Sequence, residues 1–159
     1  MENKILDLSI LKDEVAKLKL KNKIVLTNGC FDLLHVGHIR YLRKAARLGD
    51  ILIIAVNSDQ SVRKLKGLNR PLLPLEERME LLAALDFVDF VTSFSTKTCS
   101  PVIELIKPDL YVKGGDYSPE TLPEWDAVKK YGGNVEFIEM TTERSTSGII
   151  DKIISSHKK

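Results

Sequence analysis

The segment Thr27-Asn-Gly-Cys-Phe-Asp-Leu-Leu-His-Val-Gly-His38 lies between a short apolar run and a stretch of helical periodicity. The run before it, residues 23–27, is rich in β-branched residues, which is typical of a buried strand. After it, apolar residues recur at helical spacing from Ile39 to Leu48, and Gly49 supplies a stop. The segment therefore predicts a strand, a glycine-containing turn and a helix. In an open α/β sheet, such a turn lies at the edge where ligands bind.

Two histidines, His35 and His38, stand at the predicted start of this helix. Residues at this spacing share a helix face, so both imidazoles can face the same point. Gly37 has no side chain and lets a flat ligand approach the backbone. The free N–H groups and the positive dipole end of the helix favour an anion there. The combination suits a phosphorus centre that gains negative charge as it is attacked.

Two other interpretations of the same residues stay open. The histidines could be capping or core side chains of an ordinary helix. Alternatively, Cys30, His35 and His38 could bind zinc, but they supply only three ligands. The third histidine of the chain, His157, lies in the C-terminal tail.

Composition limits the class of protein. A chain of 159 residues predicts one domain with its own core, and 43% hydrophobic with 29% charged residues is ordinary for a soluble protein. A net charge of +2 is too small for a typical nucleic-acid binder. We see no membrane span and no signal peptide. Cys30 and Cys99 lack C-x-x-C spacing and fit free thiols, so we expect a cytoplasmic protein without nucleic-acid or membrane partners.

The rest of the chain alternates between predicted helices and strands. Periodicity predicts further strands over residues 50–57, 87–92, 110–113 and 135–138, and helices over residues 9–20, 59–65, 75–85, 101–107 and 119–131. A last helix is opened by Glu143-Arg-Ser-Thr-Ser-Gly148. This order predicts a single doubly wound, mainly parallel five-stranded sheet with helices on both faces. Residues 1–22 would form a helical extension packed on a main domain of residues 23–159.

Several details of these elements can be checked against a structure. Ser9 and Ser58 are predicted N-caps. In the last helix, four isoleucines are predicted to point inward: Ile149, Ile150, Ile153 and Ile154.

Residues 64–71 are polar and basic, and Gly67 and Pro71 interrupt them, which predicts a loop. The cations of this segment are Lys64, Lys66 and Arg70. Near the ligand-binding edge they could close over phosphates. A solvated run of charge is the alternative, and composition alone favours it.

His35-Val-Gly-His38 matches the H-x-G-H motif of a nucleotidyltransferase superfamily, and Gly29-Cys-Phe-Asp32 precedes it as in that superfamily. Three further segments narrow the resemblance to the bacterial D-glycero-β-D-manno-heptose 1-phosphate adenylyltransferases. They are Lys66-Gly-x-x-Arg-Pro71 with the following helix, Val112-Lys-Gly-Gly-Asp-Tyr117, and the Ser145-Thr-Ser147 cluster. The resemblance runs from about residue 10 to residue 154. Asp86-Phe-Val-Asp89 departs from the pattern that relatives use for dimer contacts.

The resemblance implies transfer of AMP from ATP to the sugar phosphate, with Mg²⁺ bound mainly through phosphates and no metal ligands from the protein. It implies catalytic roles for His35, His38 and Lys66. The implied nucleotide- and phosphate-binding residues are Asn28, Gly29, Cys30, Phe31, Gly37, Arg70, Lys113, Gly115, Asp116, Ser145, Thr146 and Ser147. It also implies a homodimer, with a separate heptose kinase and a phosphatase as pathway neighbours.

Two other functions remain possible on the sequence alone. A cytidylyltransferase for a polyol phosphate such as glycerol 3-phosphate shares most of these motifs, although Val112–Tyr117 favours ATP over CTP. A non-enzymatic nucleotide-binding module of the same fold is the other. The presence of both histidines and of the Ser-Thr-Ser cluster argues against it.

Overall fold

The computed structural model describes residues 3–139 and 145–157 of the chain. Within them, five parallel strands form one sheet in the order β3-β2-β1-β4-β5. The strands are β1 (Ile24–Gly29), β2 (Ile51–Asn57), β3 (Phe90–Phe94), β4 (Leu110–Gly114) and β5 (Asn134–Ile138). The predicted doubly wound five-stranded sheet is confirmed.

Helices cover both faces of this sheet, as predicted. The described helices are α1 (Leu8–Leu18), α2 (Val36–Ala46), α3 (Asp59–Lys66), α4 (Leu75–Ala83), α5 (Ser100–Ile106), α6 (Trp125–Lys129) and α7 (Thr146–His157). In β2, Ile53 and Ala55 pack with α1, α5 and α6, whereas Ile54 and Val56 pack with α2 and α4. This alternation explains why the strand is apolar throughout. Among the described residues, no helix is both long and apolar enough to cross a membrane.

The chain order reverses between β1 and β4. Both strands run parallel, with Thr27 opposite Val112, and β2 and β3 lie on the other side of β1. The helices that follow β1 and β4 therefore leave the sheet in opposite directions and open a crevice at the carboxyl edge. The segment that contains both histidines begins at this crevice.

Two element predictions were wrong in their bounds. The third strand begins at Phe90 rather than at residue 87, because Val88 is still in a turn and the Asp89 carboxylate accepts a hydrogen bond from the N–H of Leu52. The helix predicted over residues 119–131 is only α6. Pro123 lies inside that range, and a proline both lacks an N–H and clashes with the preceding turn of a helix.

The predicted basic loop begins later than expected. The lysines at 64 and 66 belong to the last turn of α3, which ends at Gly67 with φ of 99°. Lysine is a good helix former, so the helix continues until the glycine stops it. Its predicted N-cap is confirmed, since Ser58 accepts a hydrogen bond from the N–H of Ser61 at 3.3 Å.

Two predictions about helix faces and ends also failed. The first helix starts at Leu8 after Asp7, so Ser9 is not its N-cap. In α7, Ile153 and Ile154 are 53% and 51% exposed rather than inward. The apolar side of α7 therefore extends beyond the part of the domain that could cover it.

A buried arginine holds the carboxyl edge of the sheet together. Arg78 of α4 is 0% exposed and donates to the carbonyls of Cys30 after β1, Asn57 at the end of β2 and Leu73 before α4, at 2.5, 2.9 and 3.1 Å. Its remaining partner is the carboxylate of Asp59 at the start of α3, at 2.8 Å. One guanidinium thus fixes four chain segments relative to one another.

We predict that Arg78→Met lowers the free energy of unfolding by about 3–5 kcal/mol, because it leaves buried acceptors and the Asp59 carboxylate without their hydrogen-bond donor. Urea unfolding monitored by circular dichroism measures this change. Arg63→Met on the exposed face of α3 is the matched control and should change stability by about 0.5 kcal/mol or less. Equal stabilities of the two variants would contradict the assigned role of Arg78.

Candidate active site

The turn after β1 is shaped by two residues. Phe31 has a left-handed backbone conformation, with φ of 46°, and its ring folds back over Gly29. A Cβ atom at position 29 would lie 2.9 Å from that ring, so a larger residue would push the Phe31 ring out of this position. The Phe31 ring also meets the His38 ring edge to face, with centroids 5.3 Å apart. The turn therefore places the histidine against the end of β1.

The two histidines lie side by side, as their spacing predicted. Their ring centroids are 3.9 Å apart and the ring planes make an angle of 28°. His35 is the N-cap of α2, and its Nδ1 accepts a hydrogen bond from the N–H of Gly37 at 3.1 Å. A neutral His35 therefore carries its proton on Nε2. His35 performs the capping role and also stacks on His38.

The charge state of His38 follows from its surroundings. Burial lowers the pKa of His38 to about 4, and the neighbouring His35 and Lys66 lower it in the same direction. The backbone of Leu33 acts in the opposite direction and does not outweigh them. At neutral pH and without a ligand, the His38 imidazole is therefore uncharged, with one N–H to donate.

A pocket of about 170 Å³ opens at this point, between the ends of β1 and β4. Its walls are formed by Asn28, Gly29, Cys30, Phe31, Asp32, His38, Tyr41, Lys66, Lys113, Gly114 and Thr146. Eight of these eleven residues are among the predicted site residues. The structure thus brings together residues that are far apart in sequence.

The charge in the pocket is positive. Lys66 at the end of α3 and Lys113 in β4 both reach its walls. The one carboxylate in these walls, Asp32, accepts from Arg70 Nε at 2.6 Å and from the N–H groups of Leu72 and Leu73. Burial acts to raise the pKa of Asp32, but these donors outweigh it and lower the pKa. The carboxylate is therefore ionised, and its negative charge is balanced by its partners. The positive charges of the two lysines then determine the electrostatic potential in the pocket.

Arg70 is not among the wall residues, but its Nε donates to Asp32, which is. The side chain is 15% exposed, and that of Asp32 is 1% exposed. This ion pair fastens the second half of the basic loop to the turn after β1. Residues 67–69 of the same loop are exposed.

Cys30 is half-buried in the pocket, and burial raises the pKa of its thiol. Lys66, Arg78 and Lys113 oppose this effect without cancelling it. The thiol is therefore protonated at neutral pH and is a poor nucleophile or metal ligand. Over residues 3–139 and 145–157, no three His, Cys, Asp or Glu side chains are grouped so that they could hold a metal ion.

The last helix reaches the pocket through Thr146. Its hydroxyl donates to the carbonyl of Leu33 at 3.3 Å, which ties the start of α7 to the segment before α2. Ser145 accepts from the N–H of Gly148 at 3.0 Å, and Ser147 is exposed. Glu143 and Arg144, which the sequence placed at the opening of this helix, lie outside the described residues.

Seven predicted residues are not in the pocket walls: His35, Gly37, Arg70, Gly115, Asp116, Ser145 and Ser147. Gly115 has φ of 100°, which turns the chain away from the sheet.

Sequence reasoning assigned no role to three residues that shape the pocket: Tyr41, Arg78 and Tyr111. Tyr41 lies on the apolar face of α2 and donates to the carbonyl of Val112 at 3.1 Å. Each of these residues sits in an amphipathic or apolar segment, where its side chain looks like ordinary core. Only the buried charge of Arg78, next to Met79 on the apolar face of α4, is unusual enough to suggest a polar network.

Comparison with known proteins agrees with this geometry. The family described as cytidylyltransferase-like matches residues 26–158. The chain is 50% identical over 157 residues to bifunctional protein HldE of Citrifermentans bemidjiense, covering 98% of this chain and 32% of that protein. It is 51% identical over 148 residues to HldE of Geobacter metallireducens, covering 93% of this chain and 30% of that protein. The chain thus spans about a third of the length of these curated relatives.

Two solved structures share the fold. The lipopolysaccharide core biosynthesis protein of Thermoplasma volcanium is similar with a TM-score of 0.64 and 26% identity, over 77% of this chain and 99% of that one. Pantoate-beta-alanine ligase of Francisella tularensis, at 19% identity and a TM-score of 0.61 over 91% of this chain and 69% of that one, shows the fold alone.

The resemblance inferred from the H-x-G-H motif is therefore confirmed: this chain belongs to the cytidylyltransferase-like family.

Proposed function

We propose that this chain is an adenylyltransferase that transfers AMP from ATP to D-glycero-β-D-manno-heptose 1-phosphate and releases pyrophosphate. The observation that carries the proposal is the pocket at the sheet edge. There His38, Lys66 and Lys113 converge, and Asp32, the one carboxylate among the described wall residues, is paired with Arg70. Such a site favours a ligand with several negative charges. The resemblance to heptose 1-phosphate adenylyltransferases and the similarity to HldE proteins support this choice of acceptor.

The chemistry would be one in-line displacement. A phosphate oxygen of the sugar attacks the α-phosphorus of ATP, the bond to the β-phosphate bridging oxygen breaks, and pyrophosphate leaves with the electron pair. Such a reaction depends on positioning and on donors aimed at the developing charge. The uncharged imidazole of His38, stacked on His35, would donate to an α-phosphoryl oxygen.

Other residues would hold the leaving group. Lys66 would offer a cation to the β- and γ-phosphates, and Ser145 would offer its hydroxyl proton at the N-terminus of α7. Thr146 would join them by exchanging its hydrogen bond to the Leu33 carbonyl for one to a phosphate oxygen. The resemblance predicts that Arg70 contributes there as well, and its Nε is paired with Asp32 of the pocket wall.

With the side chains that the structure describes, a divalent cation would be bound through the substrate. The pocket carboxylate Asp32 is already engaged by three donors. Mg²⁺ would therefore bind phosphate oxygens of ATP and offset part of their charge, while the protein positions the nucleotide.

Turnover with different nucleotides tests the proposal. A pyrophosphate-release assay should show strong preference for ATP over CTP with heptose 1-phosphate as acceptor, and little activity with glycerol 3-phosphate. The reason is the sequence at the end of β4, Val112–Tyr117, which resembles the heptose enzymes. Equal or faster turnover with CTP and glycerol 3-phosphate would instead establish a polyol-phosphate cytidylyltransferase. Nucleotide binding without any pyrophosphate release would indicate a binding module.

We expect His38→Ala to lower kcat by ~10²–10³, because it removes a donor that matters most in the transition state. The dissociation constant for ATP should change far less. His38→Asn keeps one donor and should recover part of the rate. Stopped-flow turnover and equilibrium binding measure the two effects separately.

His157→Ala is the matched control, because His157 is exposed at the end of α7. It should leave both constants unchanged. If His38→Ala weakens ATP binding by the full factor and leaves kcat intact, His38 is a binding group and the assigned mechanism is wrong.

A further inference from the structure

A tyrosine and a lysine of β4 converge on one amide oxygen of β1. The Tyr111 hydroxyl lies 2.5 Å from Asn28 Oδ1, and Lys113 Nζ lies 3.1 Å from the same atom. Leu26 of β1 is paired with Tyr111 of β4. Because every second residue of a strand lies on the same face of the sheet, Asn28, Tyr111 and Lys113 lie on one face. The three side chains are therefore placed by the sheet itself rather than by a loop.

These contacts determine which way the Asn28 amide points. An ammonium group has only donors, so the Asn28 atom beside Lys113 must be the oxygen. Tyr111 then donates to that oxygen as well. Burial raises the pKa of Tyr111 well above its ordinary value, with the nearby Cys99 and Glu124 acting in the same direction, so its hydroxyl keeps the proton it donates.

The other end of the amide is left for a ligand. Asn28 lines the pocket, and its Nδ2 has no hydrogen-bond partner within the part of the chain that the structure describes. Nor is it among the described polar atoms that are both buried and unpartnered. An amide whose oxygen is held by two donors therefore presents its NH₂ group to the pocket.

We propose that Tyr111 is a positioning residue that fixes the Asn28 amide, so that its NH₂ group donates to a phosphoryl oxygen bound in the pocket. This inference rests on the proposed adenylyl transfer for the identity of the phosphoryl group. A neutral donor held in place adds no charge to a site that already contains Lys66 and Lys113, and it needs no reorganisation during the reaction. Tyr111 itself is fully buried and does not line the pocket, so it acts only through Asn28.

A double-mutant cycle separates this role from a merely structural one. Asn28→Ala should lower kcat about 10²-fold, and Tyr111→Phe about tenfold, because the amide can then rotate about its remaining contact with Lys113. In the Asn28→Ala background, Tyr111→Phe should have no further effect on kcat. The same tenfold loss in both backgrounds would overturn the proposal, as would full activity of Tyr111→Phe alone.

Two further variants serve as controls for the double-mutant cycle. Tyr131→Phe is the matched control, because Tyr131 donates to the carbonyl of Pro108 at 2.9 Å, outside the pocket wall, and should leave kcat unchanged. Asn28→Asp keeps both oxygen contacts but has no NH₂ group. It should lose at least as much activity as Asn28→Ala, and near-normal activity of Asn28→Asp would overturn the proposal.

A binding readout keeps this inference distinct from the proposed function. The side-chain NH₂ signals of Asn28 in an ¹⁵N-correlated NMR spectrum can be identified by their loss in Asn28→Ala. They should shift when Mg²⁺ and a non-hydrolysable ATP analogue are added, whichever acceptor the enzyme uses. A shift with no turnover of heptose 1-phosphate would refute only the proposed function. A bound analogue that leaves these signals unmoved would refute the role of Asn28 and Tyr111.

Discussion

The buried guanidinium of Arg78 is the interaction on which the site depends. It joins the turn after β1, the end of β2, the start of α3 and the segment before α4. The turn after β1 lines the pocket, and α3 reaches the pocket wall through Lys66. A fully buried arginine is tolerated because carbonyls and one carboxylate occupy its donors. Parallel strands bring their carboxyl ends to one edge, but they do not fix the turns beyond that edge. In this domain a side chain of α4 performs that task.

A second ion pair, between Asp32 and Arg70, leaves the electrostatic potential in the pocket positive. Asp32 comes directly from the turn that carries the histidine motif, and on its own it would repel a triphosphate. Arg70 and two backbone N–H groups occupy its oxygens, so the negative charge anchors the basic loop instead. The positive charges of Lys66 and Lys113 in the pocket wall are thereby left unopposed by this carboxylate.

The fold was predictable because strand and helix periods alternate regularly, and the histidine motif marked the first strand–helix turn. The turn after β1 was predictable from its own residues, since ligands bind where the carboxyl ends of parallel strands meet. Lys66, Lys113 and Thr146 were expected there through the resemblance of their segments to the heptose adenylyltransferases. What failed were local effects of single residues. Pro123 shortened one helix, the lysines before Gly67 extended another, and the Asp89 carboxylate accepts a backbone N–H just before β3 begins. The roles of Arg78 and Tyr111 were not predicted, because a contact between distant elements leaves no periodic signal in the sequence.

In the proposed reaction, preorganised donors act on a single in-line displacement, with no covalent intermediate. The Cys30 thiol is protonated at neutral pH, but the uncharged imidazole of His38 is itself a possible nucleophile, so the point can be tested directly. The decisive measurement uses ATP made chiral by sulfur at the α-phosphorus, with ³¹P NMR to determine the configuration of the nucleotide-sugar product. One displacement predicts inversion. Retention would mean two displacements through an adenylyl-enzyme and would contradict the account.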